Sequence, residues 1–145
     1  MKAISIRQPW AHLIWLEEKH YEYRSWSTDH RGDLLVCVSA NPKIEGAVSG
    51  CALCLVKITD VIRVTRKNYI DLELDEPPAR GEMLYAWKIE DVRTIKPFPV
   101  KGKLHLYDVD DALIECEPDS YETDEEAEAW FNTYIAPYVY RKNQE

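Results

Sequence analysis

Residues 51–64 read CALCLVKITDVIRV. The stretch is apolar and β-branched, and it is longer than an ordinary strand of about five or six residues. A second stretch of the same kind, MLYAWKIEDVRTI, covers residues 83–95. Between them, YIDLELDEPPARGE at 69–82 holds Pro77, Pro78 and Gly81, which exclude a continuous regular element. A loop with at most one helical turn is expected there. Two strands of this length have to curl to stay in a small domain. The expected class is therefore α+β, mostly β, with the strands forming a small barrel.

Upstream, the alternation in AISIR (3–7) predicts a first strand. Gln8 can cap a helix, and Pro9 suits the first helical position. Trp10, Leu13, Ile14 and Glu17 follow helical spacing, so a short helix is expected over 9–17. HYEYRSW (20–26) alternates as a strand, with Glu22, Arg24 and Trp26 on one face and Tyr21, Tyr23 and Ser25 on the other. LLVCVSA (34–40) reads as a buried strand. Downstream, KPFPVKGKLHLY (96–107) predicts a Pro-bounded turn and a short strand, and DVDDALIE (108–115) closes as strand or helix. In TDEEAEAWFNTYIAP (123–137), Thr123 caps and Glu126 reaches back, while Ala127, Trp130, Phe131, Tyr134 and Ile135 follow helical spacing up to Pro137. An amphipathic C-terminal helix packed on the barrel is expected. The 145 residues, 46% hydrophobic and 11% aromatic, suit one domain over 1–145, with 108–145 as an acidic C-terminal extension.

The net charge of −8 argues against a nucleic-acid binder, but its distribution matters more than its sum. Residues 1–66 carry nine Lys/Arg against seven Asp/Glu, and residues 67–145 carry nine against nineteen. The acidity peaks over 108–128, a run without Lys or Arg that reads as a solvated face. With no apolar run of about 18 residues and no cleavable leader pattern, a soluble cytoplasmic protein without membrane association is expected. Cys51 and Cys54 form a Cys-x-x-Cys, but a strand points positions three apart to opposite faces. Reduced, buried thiols follow, with no metal and no cofactor. His12, His20, His30 and His105 lack metal-ligand spacing.

Four segments, ISIRQPWAHLI, EKHYEYRSW, HRGDLLVCVSA and YAWKIEDVRTIKPFPVKGKLHL, resemble in order and spacing the ASCH domain, named for homology to the activating signal cointegrator. The resemblance runs over residues 2–107. The signature Gly-x-Lys-x-x-Glu-x-Arg is matched by Lys19, Glu22 and Arg24, with Glu17 at the glycine position, a departure expected to change how the helix ends. The resemblance implies a PUA-like fold: a small, mostly antiparallel barrel with helices outside and a cleft beside the first helix. It also implies binding of RNA or nucleotide-like ligands. Some small members are amidohydrolases acting on an acetylated cytidine through a lysine, a threonine and a glutamate. The threonine there follows the lysine by three positions, where this chain has Glu22, so that activity lacks its hydroxyl.

Read without the family, Lys19, Glu22 and Arg24 are solvated strand charges, an ion pair worth about 0–1 kcal/mol. With it, they line a cleft in which Glu22 holds the planar fork of Arg24 ready for a base edge or phosphate. Trp26 shares their face as a stacking platform. Trp10 and Trp87 each have a core and a cleft reading, and the resemblance favours the cleft for Trp87. Gln8 caps the helix or lies at the cleft mouth. Arg31, before Gly32, is a turn arginine or a loop guanidinium for the ligand, and Ser39 ends its strand with a side chain small enough for a ligand to approach.

The leading expectation is a module binding a nucleotide, a modified nucleoside or short single-stranded RNA. The alternative is a small hydrolase, an amidohydrolase or an RNA-cleaving enzyme, with Lys19 as base and Glu22 as acid/base partner. A protein-interaction domain using the acidic half ranks last.

Overall fold

The structure is a computed structural model that describes residues 1–144. Six strands form one sheet: β1 (Lys2–Ile6), β2 (Tyr21–Arg24), β3 (Gly32–Val38), β4 (Cys51–Arg63), β5 (Tyr85–Thr94) and β6 (Tyr107–Asp108). Their order is β2-β5-β4-β3-β1-β6. Every pairing is antiparallel except β1 with β3. The long β4 pairs with β3 and β5 and so carries the curl that its sequence required. The result is α+β and mostly β, a half-barrel whose edges are β2 on one side and the short β6, with the end of β1 beyond it, on the other.

Alternation sorts the apolar residues into layers. Ile4, Ile6, Leu34, Val36, Val38, Val56 and Trp87 fill the concave side, where Ala11 and Ile14 of the first helix, α1 (Trp10–Trp15), join them. Ala3, Leu35, Cys37, Ala52 and Leu55 pack on the convex side under Ile95 and Tyr107. Strands buried on both faces read as unbroken apolar runs, which is why LLVCV and CALCLV show so little alternation. The 65–84 connection has no regular element and covers Val64 and Ala86 with Leu72.

Two expectations need correction. Cys51 and Cys54 do not face opposite ways: the register with β3 shifts between Val36 and Cys37, and both cysteines enter the concave core. The extra residue of a β-bulge restores the parity that a count of three had broken. The thiols are nevertheless free, and burial pushes Cys51 and Cys54 up to about 12. The second correction concerns residues 96–106, which form a loop, the expected short strand being only Tyr107–Asp108.

At the C-terminus, α2 (Asp124–Trp130) begins as its sequence requires. The Thr123 hydroxyl accepts from the Glu126 amide at 3.1 Å, and the Glu126 carboxylate accepts from the Glu122 amide at 3.1 Å. It then widens into a π-helical turn, Phe131–Ile135. That turn moves the buried face to Trp130 and Ile135, five positions apart, and leaves Phe131 exposed. Residues 138–140 hydrogen-bond back to 46–49, with Val139 bridged to Val48. No helix among the described residues is long and apolar enough to cross a membrane.

Candidate functional site

The open seam is the site. The Ile6 carbonyl accepts from the Ser39 amide, toward β3, so the Ser5 carbonyl turns outward to the edge of β1, beyond the two residues that pair with β6. Arg24 reaches across from β2 and donates to that carbonyl at 2.9 Å. One guanidinium thus joins the two strands that the sheet leaves apart.

The end of α1 sets Lys19. Glu17 adopts a left-handed φ of 60°, and the Glu18 amide donates to the Leu13 carbonyl while the Glu17 amide donates to Ile14. This is the Schellman arrangement, in which glycine is favoured at the left-handed position. The Lys19 amide also donates to Leu13, and the chain turns directly into β2.

Glu22 stands between two cations. Its Oε1 accepts from Lys19 Nζ at 3.0 Å and its Oε2 from Arg24 at 3.2 Å, and the Tyr23 amide donates to Oε1 as well. Lys19 also donates to the Tyr21 carbonyl and lies 4.8 Å above the Tyr23 ring. Side-chain exposure is 13% for Lys19, 10% for Glu22 and 26% for Arg24. Burial lowers the Lys19 pKa below the usual 10.5 despite the opposing pull of Glu22. Tyr23 is pushed up to about 12, first by burial and then by the Glu73 charge, and its hydroxyl donates to the Leu72 carbonyl.

The cleft around this triad has a volume of 1390 Å³. Lys19, Glu22, Arg24, Trp10, Trp26 and Ser39 all line it. The two tryptophans differ in how open they are, Trp26 being half-buried. Trp10 is 51% exposed, whereas Trp26 stands edge-on to Trp87 at 4.8 Å and lies against His105, also at 4.8 Å. The open aromatic face is that of Trp10.

Three expected site residues fall outside the lining. Gln8 is buried, its Oε1 accepting from the His12 amide and its Nε2 donating to the Val48 carbonyl, so the capping reading holds and the amide is spent. Trp87 is fully buried beneath Trp26 and donates to the Trp26 carbonyl at 3.3 Å. Arg31 is exposed and donates to the carbonyls of Thr28 and His30, as a turn arginine does.

The sequence reading missed the rims. One rim is basic: Arg7 at the end of β1, with Lys101 and Lys103 from the 96–106 loop. Gly102 passes close to β1 there: a Cβ on it would lie 2.8 Å from the Ser5 hydroxyl oxygen, which would have to shift from its place beside the Tyr107 hydroxyl. The other rim is acidic, with Glu18, Glu73 and Asp75. His20 ties it to β2 through contacts of 3.1 and 2.8 Å with Glu73. The KGK between Pro99 and Leu104 was the available signal, but nothing local says that it folds over β1.

An open, mostly antiparallel half-barrel with a polar cleft at its seam beside the first helix defines a class of small binding folds. The ASCH domain model matches residues 4–139, and the chain belongs to that family. Solved structures agree on the fold. The ASCH protein from Zymomonas mobilis superposes with a TM-score of 0.61 at 12% identity, over 77% of this chain and 88% of that one. A serine-to-alanine mutant of that protein gives 0.59 at 10% identity, over 79% and 96%. A tyrosine-to-phenylalanine mutant gives 0.52 at 12%, over 76% and 90%. No curated protein matches the chain in sequence.

Proposed function

We propose that the chain is an RNA-associated binding module whose seam cleft takes a nucleotide, a modified nucleoside or a short single-stranded RNA. The observation that carries this reading is the anchored guanidinium of Arg24. Glu22 and the Ser5 carbonyl fix it from behind, in the cleft wall that also holds Lys19. A planar donor already oriented loses little freedom when it meets a phosphate or base edge. Trp10 offers an aromatic face to a base, and Arg7, Lys101 and Lys103 supply the phosphate side.

A small hydrolase acting on a modified nucleoside or RNA in the same cleft is the second reading, favoured by the lowered pKa of Lys19 beside Glu22. In it Lys19 takes a proton and Glu22 relays it.

A thermal-shift screen across nucleosides, nucleotides and short RNAs tests binding, since a ligand of the folded state alone raises the melting temperature. Arg24→Ala weakens binding of the hit by about 1–3 kcal/mol, the usual loss for charge-assisted hydrogen bonds. Because the guanidinium also spans the seam, this variant melts lower too, and Lys101→Ala with Lys103→Ala provides an exposed control that weakens binding at unchanged stability. Wild-type affinity in both variants would refute the cleft reading. Product analysis on the same samples separates binding from hydrolysis.

A further inference from the structure

A second groove lies off the end of the same sheet. Its 460 Å³ are walled by the last residues of β4 and by the approach to β5, and Arg63, Arg66 and Arg80 all line it. Elsewhere on the sheet the cations sit against carboxylates: Arg93 with Asp33 and Asp91, Lys96 with Glu115, Lys57 with Asp91, Lys88 with Glu90. Among the described residues none of the three groove arginines has an ion-pair partner; the Arg63 guanidinium makes a contact of 3.2 Å to the Met83 sulfur, and the Arg63 carbonyl accepts from the Asn68 side-chain amide at 3.0 Å. The groove's one carboxylate, Glu82, accepts from the Ala79 amide through Oε1.

The sheet register connects this groove to the cleft. Arg24 on β2 lies opposite Tyr85 on β5, and Tyr85 lies opposite Arg63 on β4. Directly opposed residues of antiparallel strands project to the same face. Arg24, Tyr85 and Arg63 therefore form one cross-strand row, with the two arginines about 10 Å apart at two strand spacings. The cleft-lining Arg24 at one end of the row and the groove-lining Arg63 at the other project to the same face.

We infer that the ligand is a polynucleotide, single-stranded RNA, whose backbone leaves the cleft at Arg24, crosses the Tyr85 row and seats its phosphates on Arg63, Arg66 and Arg80. The inference rests on the reading of the cleft as a nucleotide site and adds to it a second, backbone-only subsite. Unpaired guanidiniums beside a half-buried aromatic suit a phosphate chain, whose binding to single strands is electrostatic and indifferent to sequence. A mononucleotide in the cleft gains nothing from them.

The test compares two probes, cytidine monophosphate and a fluorescent oligonucleotide of about ten nucleotides, within the usual single-strand site size. The wild-type chain is set against Arg66→Ala/Arg80→Ala, both side chains exposed, with Arg66→Glu/Arg80→Glu as a stronger variant. The alanine pair is expected to bind the oligonucleotide about tenfold more weakly, with a log-log salt slope shallower by about 1.4 for two lost contacts. Mononucleotide binding and melting temperature stay unchanged, and the glutamate pair loses oligonucleotide binding further. Unchanged oligonucleotide affinity in both variants overturns the inference. So does equal weakening of both probes, or an oligonucleotide that binds wild type no better than the mononucleotide. Wild-type protein that binds neither probe defeats the cleft reading itself.

Discussion

Glu22 divides its carboxylate between Lys19 on one oxygen and Arg24 on the other, so two cations at a buried position depend on one anion. Replacing it by glutamine keeps the shape and removes the charge. Glu22→Gln is expected to destabilise the fold by about 1.5–3 kcal/mol, the range for hydrogen bonds to charged groups, in denaturant titrations. It also pushes the Lys19 pKa further down, which a titration of the lysine side-chain NMR signals would follow. The wild-type pH dependence has a definite sign. The folded Lys19 pKa is below 10.5 because burial disfavours the ammonium, so between the two values the unfolded chain binds more protons. Lys19's contribution to stability therefore rises with pH through that window, and Lys19→Met should abolish this part of the slope. Convergence of Lys19, Glu22 and Arg24 was legible because strand parity places Glu22 and Arg24 on one face. Trp26, on that same face, is likewise in the lining, but the fates of Trp10 and Trp87 were not legible, since the 3.6 and 2.0 periods of helix and strand say which face a ring is on but not what covers it. His105, which lies against Trp26, comes from a loop 79 positions downstream that no local pattern places.

At the scale of elements, the turn from α1 into β2 carries a testable departure from the family signature. The glycine position holds Glu17, and the backbone still adopts φ 60° there. A left-handed conformation costs an L-residue about 1–2 kcal/mol, and glycine's looser unfolded chain returns about 0.5–1 of that. Glu17→Gly should thus raise stability by about 0.5–1 kcal/mol without moving the affinity of a cleft ligand. A lower midpoint in chemical denaturation would show that Glu17 compensates through contacts of its own. The strands and the capped start of α2 were readable from alternation and from the Thr123–Glu126 pair. Two irregularities were not: the β4 bulge that brings Cys51 and Cys54 to one side, and the π-helical turn that exposes Phe131. Each adds a residue to a regular count, and a count taken from sequence has no means of anticipating it.

At the scale of the molecule, we propose that the acidic segment, over its described residues 108–144, is an integral layer and not an appendage. Its charges face solvent, while Trp130 and Ile135 enter the concave core and Val139 pairs with Val48. Burying side chains of this size contributes about 1.5–3 kcal/mol each. Two or three of them rival the total stability of a small domain, about 5–15 kcal/mol. A chain ending at Asp108 should accordingly lose its cooperative thermal transition and its near-ultraviolet circular dichroism. The full chain should melt in one step, with absorbance and tryptophan fluorescence coincident. The charge-neutralised variant Asp124→Asn/Glu125→Gln/Glu128→Gln removes three exposed carboxylates without touching Trp130 or Ile135. It should keep a single transition, with only the small losses expected from the first turn of a helix, where acidic residues suit the positive end of the dipole. A truncated chain that still melts cooperatively at a similar temperature would make 108–145 a separate extension. Two resolved transitions in the full chain would do the same.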